Sequence, residues 1–158
     1  MQEISYQNIN LLNKLPKKLI IRIAYIIKKT KIKIITLNNS LKIGKNNIAK
    51  LEKILAVKNS INSENEAKIN KYYYGEEVAL VSYKLNQFIN KKKINNNILK
   101  IFNSWIVPKL PINGNDVTMY KKINGKDVGI MLLKIEKWWV QNYFLKDRKE
   151  CLKKLKSI

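Results

Sequence analysis

The chain has 158 residues and a formal net charge of +21, from 32 lysines and arginines against 11 aspartates and glutamates. Hydrophobic residues make up 46% of the sequence, enough to build a core, which argues against global disorder. The lack of histidine excludes histidine-based general base catalysis and histidine-ligated zinc, and the single cysteine, Cys151, excludes an intramolecular disulfide and favours a reducing, cytoplasmic compartment.

The first predicted element is a helix over residues 15–30, in which Pro16 suits the first turn. Its most apolar run, Leu19 to Ile27, is too short to span a bilayer and contains Arg22. This run is therefore interpreted as a core helix, and no membrane partner is expected. The polar residues Asn38-Asn39-Ser40 are interpreted as a break after it.

The elements that follow are also helical. Ser63, with Glu66 three residues later, forms the capping-box pattern at the start of one of them. No stretch alternates with period two for long, so the predicted fold is all-α, with about seven helices in a compact, bundle-like array. Further helices are predicted over 45–57, 75–92, 95–107, 126–142 and 147–155, with a short one from Asp116.

Two of the three prolines, Pro108 and Pro111, and three of the five glycines fall close together in the last third of the chain. Because these residues punctuate helices, they mark a boundary. The chain is predicted to comprise a helical body region, 1–107, and a tail region, 108–158.

The tail region contains the candidate binding residues. Gly114 is expected to have a positive φ, Asn115 to cap the helix that starts at Asp116, Asn124-Gly125 to end it, and Gly129 to let another helix approach closely. Two helix N-termini in succession would present free amides beside lysines, which suits a phosphate. The alternative is a helical corner with ordinary surface lysines. The candidate RNA-binding residues are Lys109, Asn113, Asn115, Lys121, Lys122 and Lys126.

The positive charge itself indicates a polyanionic partner, because lysines near phosphates release condensed counterions and gain affinity without reading sequence. The abundance of Lys, Asn and Ile is also typical of an A/T-rich coding genome, which moves surface positions toward lysine. The sign of the charge therefore favours nucleic acid, whereas its size reflects genome composition in part.

Three other motifs resemble a metal site, a phosphate-binding loop and a base-stacking pair, but each is incomplete or has a simpler structural explanation. No catalytic or metal-binding residue is therefore predicted. Glu64-Asn-Glu66 has the spacing of a two-metal pair, but it has no third carboxylate beside it and stands where a helix start favours acids. Gly125-Lys126-Asp127 lacks the first glycine and the final Ser or Thr of a phosphate-binding loop. Of Trp138 and Trp139, one is expected in the core and the other against a partner or at the surface.

The tail region has a distinctive order of motifs: Leu110-Pro-Ile-Asn-Gly-Asn-Asp-Val117, Asn124-Gly-Lys-Asp-Val-Gly129, Leu133-Lys-Ile-Glu-Lys-Trp-Trp-Val140 with Phe144, then Asp147-Arg148. This order resembles the C-terminal region of bacterial tRNA nucleotidyltransferases, the CCA-adding enzymes of the poly(A)-polymerase-like class in their alphaproteobacterial form. Less specific segments extend the resemblance, in the same order, back to Leu15. They are Leu15-Pro16, Ile21 to Ala24 and Leu41 to Glu52, where Gly44 replaces the usual Ser.

The resemblance implies a helical body and tail that hold the acceptor arm and elbow of tRNA by its backbone. The family's catalytic motifs, a Gly-Gly-x-x-Arg-Asp loop, an Asp-x-Asp metal pair and a template for CTP and ATP, do not occur in this chain. The expected partner is tRNA. The chain would be one subunit of a split enzyme, with a separately encoded catalytic head as a second partner, or a truncated gene product, or a repurposed RNA-binding protein. No cofactor is expected on this chain, since Mg²⁺ and the nucleotides would belong to the head, and the chain is expected to be inactive alone.

Two hypotheses remain beside this one. The first is a basic structural RNA-binding protein, such as a ribosomal component of an A/T-rich organelle or endosymbiont, which needs only the charge and the helices. The second is a basic scaffold for a protein partner. Neither explains the order of the motifs.

Overall fold

The computed structural model describes residues 18–57 and 60–158, and this part of the chain folds into nine α-helices without β-strands. The all-α prediction is confirmed for these residues, with more helices than the seven or so expected. The chain divides into two compact units, Met1–Trp105 and Ile106–Ile158. The helices are α1 Leu19–Thr30, α2 Ile34–Leu41, α3 Lys45–Ala56, α4 Glu64–Tyr74, α5 Glu76–Ile89, α6 Asn96–Ser104, α7 Gly114–Lys121, α8 Lys126–Gln141 and α9 Arg148–Lys156.

Helix α2 occupies the segment that the sequence predicted as a polar break, and that prediction is wrong. Ile34 and Leu37 pack against the core of the first unit, so burial on one face stabilises the helix. Asn38 does not interrupt it, because its side-chain oxygen accepts a hydrogen bond from the amide of Ile43 (3.0 Å) and so stabilises the chain where the helix ends. The predicted start of α1, with Leu15 and Pro16, lies outside the described residues.

The core of the first unit is formed where α5 packs against α1, α3, α4 and α6. Tyr83 of α5 and Phe102 of α6 are almost fully buried and their ring centroids lie 5.7 Å apart. The hydroxyl of Tyr83 accepts a hydrogen bond from the amide of Asn95 (2.8 Å), which fixes the approach to α6. Ser82 donates to the carbonyl of Ile54 (3.0 Å), so α5 is tied to α3 by a buried hydrogen bond as well as by packing.

Lys71 is a buried cation that joins three helices of the first unit. Its side chain, on α4, is 7% exposed. The ammonium donates to the carbonyl of Phe102 (2.5 Å) near the end of α6 and lies 3.1 Å from a carboxylate oxygen of Glu76 at the start of α5. Burying a charge is unfavourable unless it is paired, and here both a helix carbonyl and a carboxylate compensate it.

In the second unit α7, α8 and α9 pack against one another. Trp139 lies at its centre with 2% exposure, and its indole N–H donates to the carbonyl of Lys146 (2.9 Å). Phe144 meets the indole edge-on, with ring centroids 5.0 Å apart. The turn between α8 and α9 is therefore held by the same tryptophan that fills the core, while Trp138 remains half-exposed, as the sequence predicted for one of the pair.

Within the described ranges, none of the helices is both long enough and apolar enough to cross a membrane.

Candidate nucleic-acid interface

Helix α7 begins with a capping box whose members are Asn113 and Asp116. The side-chain oxygen of Asn113 accepts from the amides of Asn115 (2.9 Å) and Asp116 (3.3 Å), and Asp116 accepts from the amide of Asn113 (2.9 Å). The predicted cap at Asn115 is therefore wrong: Asn113 is the cap because its partner Asp116 stands three residues later. Gly114 lies in the first turn of the helix and is not among the glycines with positive φ, which corrects the second expectation at this site.

The capping box changes what the start of α7 can bind. Two of its first amides are already hydrogen bonded to the side chain of Asn113, and the carboxylate of Asp116 accepts from the amide of Asn113 and adds a negative charge at the helix start. The expectation of free amides for a phosphate is therefore wrong for this helix. Any contact with nucleic acid here would come from side chains.

Asp116 also pairs with Arg148, the first residue of α9. The guanidinium donates to both carboxylate oxygens, with Nη1 to Oδ2 at 2.9 Å, and Nη1 also donates to the carbonyl of Pro111 (2.8 Å). Asp116 is 7% exposed, and the hydrogen bonds from Arg148 hold the pKa of this carboxyl below its ordinary value, with the amide of Asn113 acting in the same direction. The carboxylate is thus charged at neutral pH and joins α7 to α9.

The other three candidate residues lie where α7 ends and α8 begins: Lys121 is the last residue of α7, Lys122 follows it, and Lys126 is the first residue of α8. Lys122 has a left-handed conformation (φ 53°) and ends α7, a role expected of Asn124 or Gly125. Gly125 has a positive φ (63°) and precedes α8, whose N-terminus has no side-chain cap. Lys122 and Lys126 are exposed, whereas Lys121 donates to the carbonyls of Lys156 (3.3 Å) and Ile158 (2.6 Å) at the end of α9.

The six candidate residues thus lie in two groups, at the two ends of α7. Lys109, Asn113 and Asn115 are exposed before or at its start, and the three lysines lie at or after its end. Eight helical residues span about 12 Å, a length over which one strand of a duplex presents several successive phosphates. The lysines whose ammonium groups suit this role are Lys109, Lys122 and Lys126, because Lys121 is committed to α9.

Gly129 does not serve a close helix approach, contrary to expectation. A Cβ placed there would have no neighbour within 4 Å in the part of the chain that the structure describes. Position 129 is exposed on α8, so its glycine is not explained by packing within these residues.

The acidic pair at the start of α4 is used in the fold. Ser63 and Glu66 form the predicted capping box, with Glu66 accepting from the amides of Asn62 (2.7 Å) and Ser63 (3.3 Å). The interpretation of Glu64 and Glu66 as helix-start acids is therefore confirmed. Among the described residues, no three Asp, Glu or Cys side chains lie close enough together to hold a metal ion.

Sequence reasoning missed the residues that connect the elements of the second unit. Arg148 was noted only as part of a motif, and the lysines of α9 that face aromatic rings were not singled out. The ammonium of Lys156 lies 4.6 Å from the ring centroid of Tyr120, and that of Lys154 lies 6.0 Å from that of Trp138. The spacing of lysines along α9 marks it as a basic helix, but the aromatic partners come from other helices and no local pattern reveals them.

No protein-family model, curated protein or solved structure matches the chain.

Proposed function

We propose that this chain is the tRNA-binding helical portion of a CCA-adding tRNA nucleotidyltransferase, which holds tRNA by its backbone and performs no nucleotidyl transfer by itself. The observation that carries the proposal is the order of motifs from Leu110 to Arg148. Those motifs supply the residues on which the second unit depends, including the pair of Asp116 with Arg148 and the buried Trp139. The motifs that carry the resemblance are thus residues that stabilise the second unit, which supports the proposal.

The electrostatics of the second unit support nucleic acid as the ligand. Residues 106–158 contain 12 lysines and arginines against 5 aspartates and glutamates. Three of the acids are engaged within the unit: Asp116 with Arg148, Glu150 with Lys146, and Asp147 as the cap of α9. Because Arg148 and Lys146 are engaged in the same ion pairs, the excess of positive charge is unchanged by this pairing, and it favours a phosphate backbone.

The binding mode follows from the shape of RNA. A-form duplexes hide their base edges in a deep, narrow major groove, so a protein that grips the acceptor arm reads its shape and phosphates. Exposed lysines at both ends of α7 suit such a task, because they need no particular base sequence. Because the family's catalytic motifs do not occur in this sequence, the proposal leaves nucleotidyl transfer to another polypeptide.

The proposal is tested with the purified chain and a tRNA that lacks its CCA end. We expect the chain to shift this tRNA in a native gel while incorporating neither CTP nor ATP. Incorporation by the chain alone would refute the assignment of catalysis to another polypeptide. Co-sedimentation with ribosomal subunits in preference to free tRNA would instead favour a ribosomal component.

A further inference from the structure

A small groove lies between α8 and α9 of the second unit. Its volume is about 300 Å³, at the lower end of the range of roughly 300–1,000 Å³ for small-molecule sites. One wall is Trp138 of α8. The other is a single stripe of α9, at the i, i+3, i+4, i+7 spacing of one helix face. This stripe consists of Glu150, Lys153 and Lys154, and it is continued by Ser157, the residue that directly follows α9.

The aromatic wall is available because of the neighbouring tryptophan. Trp139 fills the core at 2% exposure, so Trp138, the preceding residue on α8, points away from the core and remains half-exposed. The ammonium of Lys154 lies 6.0 Å from the centroid of the Trp138 ring. The groove therefore places an indole and a cation side by side.

The groove is positive although it contains a carboxylate. Glu150 lies 2.8 Å from the ammonium of Lys146, and its second oxygen accepts from the amide of Asp147 (3.1 Å). The hydrogen bond from Lys146 holds the pKa of Glu150 below its ordinary value, so this carboxylate is charged but compensated. The charges of Lys153 and Lys154 are left to act on a ligand.

We propose that this groove binds one unpaired nucleotide of RNA, with the base stacked on Trp138 and the phosphate held by Lys153 and Lys154. An aromatic face beside cations is the common design for unpaired nucleotides, because every base has a π-face and every linkage a phosphate. The proposal rests on the proposed function only in taking RNA as the ligand. It adds a contact to the base of an unpaired nucleotide, which binding to the phosphates of a duplex does not supply.

A matched control comes from the other aromatic–lysine pair of α9. Tyr120 is 38% exposed, and the ammonium of Lys156 lies over its ring at 4.6 Å. That ammonium is closer than Lys154 is to Trp138, so the face of Tyr120 is already covered by a cation. Substituting Tyr120 removes an aromatic ring beside the same helix without touching the groove.

The test measures affinity by fluorescence anisotropy for three labelled probes: a single-stranded RNA, an abasic strand of the same length, and a blunt RNA duplex. The wild-type chain should bind the base-bearing strand about 5- to 150-fold more tightly than the abasic strand, the ratio expected from one stacked base. Trp138→Leu should remove this preference and leave the abasic strand and the duplex unchanged. Trp138→Phe should retain most of it, and Tyr120→Leu all of it.

Several results would overturn the inference. One is equal wild-type affinity for the base-bearing and abasic strands, which requires no variant and so does not depend on the folding of Trp138→Leu. Others are an equal loss on all three probes with Trp138→Leu, or the same loss of preference with Tyr120→Leu. Failure of the proposed function is distinguishable, because it would appear as tRNA binding no better than duplex binding while the preference for bases persisted.

Discussion

Arg148 donates to both carboxylate oxygens of Asp116, although the two residues are 32 positions apart in sequence. This pair joins the start of α9 to the start of α7, and the same carboxylate closes the capping box on Asn113. One buried acid thus fixes both the beginning of a helix and its position against another.

Asp116→Ala is expected to destabilise the second unit by about 1–3 kcal/mol, because it removes the carboxylate half of the capping box and the acceptor of a charged donor together. The matched control is Asp127→Ala, which removes an exposed acid from the first turn of α8 and should cost only about 0.3–1 kcal/mol. Urea unfolding of both variants measures the difference. Equal losses would show that the pair with Arg148 contributes nothing beyond helix-end electrostatics.

The same pair predicts a dependence of stability on pH. Arg148 lowers the pKa of Asp116 in the folded state, so the unfolded state binds more protons as the pH falls. The stabilisation is complete above the ordinary aspartate value of about 3.9 and is lost as the pH falls through the lower, folded value. Urea unfolding of the wild type and of Asp116→Asn, at several pH values from neutral to acid, measures this contribution to the free energy of unfolding. The difference in the free energy of unfolding between the wild type and Asp116→Asn should become smaller in acid. A difference that stays constant with pH would contradict the assignment.

Lys71→Met is expected to destabilise the first unit by about 2–4 kcal/mol, because it leaves the carbonyl of Phe102 buried without its donor. Lys68→Met, on the same helix at a half-exposed position, is the control and should change stability by less than about 0.5 kcal/mol. Thermal unfolding compares the two. Similar melting temperatures would show that the buried ammonium contributes no net stability.

Replacing Lys109, Lys122 and Lys126 together by alanine is expected to weaken tRNA binding and to lower the salt slope of log K by about 2 to 3, at roughly 0.7–0.9 per phosphate contact. The control is the triple replacement of Lys91, Lys92 and Lys93, an exposed run in the first unit that carries the same charge. Titrations of tRNA binding over a range of salt concentrations give the salt slope of log K for each triple variant. An equal drop in slope for both triples would show that total charge alone determines binding.

Lys121→Ala is expected to behave differently from its neighbours. Its ammonium is bonded to carbonyls at the end of α9, so the substitution should lower the stability of that helix end and leave the salt slope of tRNA binding unchanged. Faster hydrogen exchange of the last amides of α9 would show the lower stability of that helix end. A reduced salt slope with unchanged exchange would place Lys121 on the RNA.

The sequence predicted those features that depend on local spacing. The capping box of Ser63 and Glu66 and the division of roles between Trp138 and Trp139 follow from residues a few positions apart, so pattern reasoning found them. Around Gly114, both Asn113 and Asn115 could cap a helix, and only the reciprocal bond of Asp116 decides between them.

Long-range relationships were beyond this kind of reasoning. Helix α2 forms because its isoleucine and leucine side chains find a core built by distant helices, which overrides its polar Asn-Asn-Ser segment. Arg148 reaches Asp116, and Lys71 reaches Phe102, across about thirty residues in each case, where no spacing rule applies. The candidate lysines were placed at one corner by sequence, whereas the fold divides them between the two ends of α7.

The most direct test of the central claim compares wild-type affinity for a tRNA with that for a linear RNA duplex of equal phosphate number, at a physiological salt concentration of about 0.15 M. A chain that holds the acceptor arm and elbow should bind tRNA at least about tenfold more tightly, a difference of roughly 1.4 kcal/mol, because only tRNA presents that shape. Equal affinity for the two RNAs would contradict the assignment and leave only a non-specific basic RNA binder.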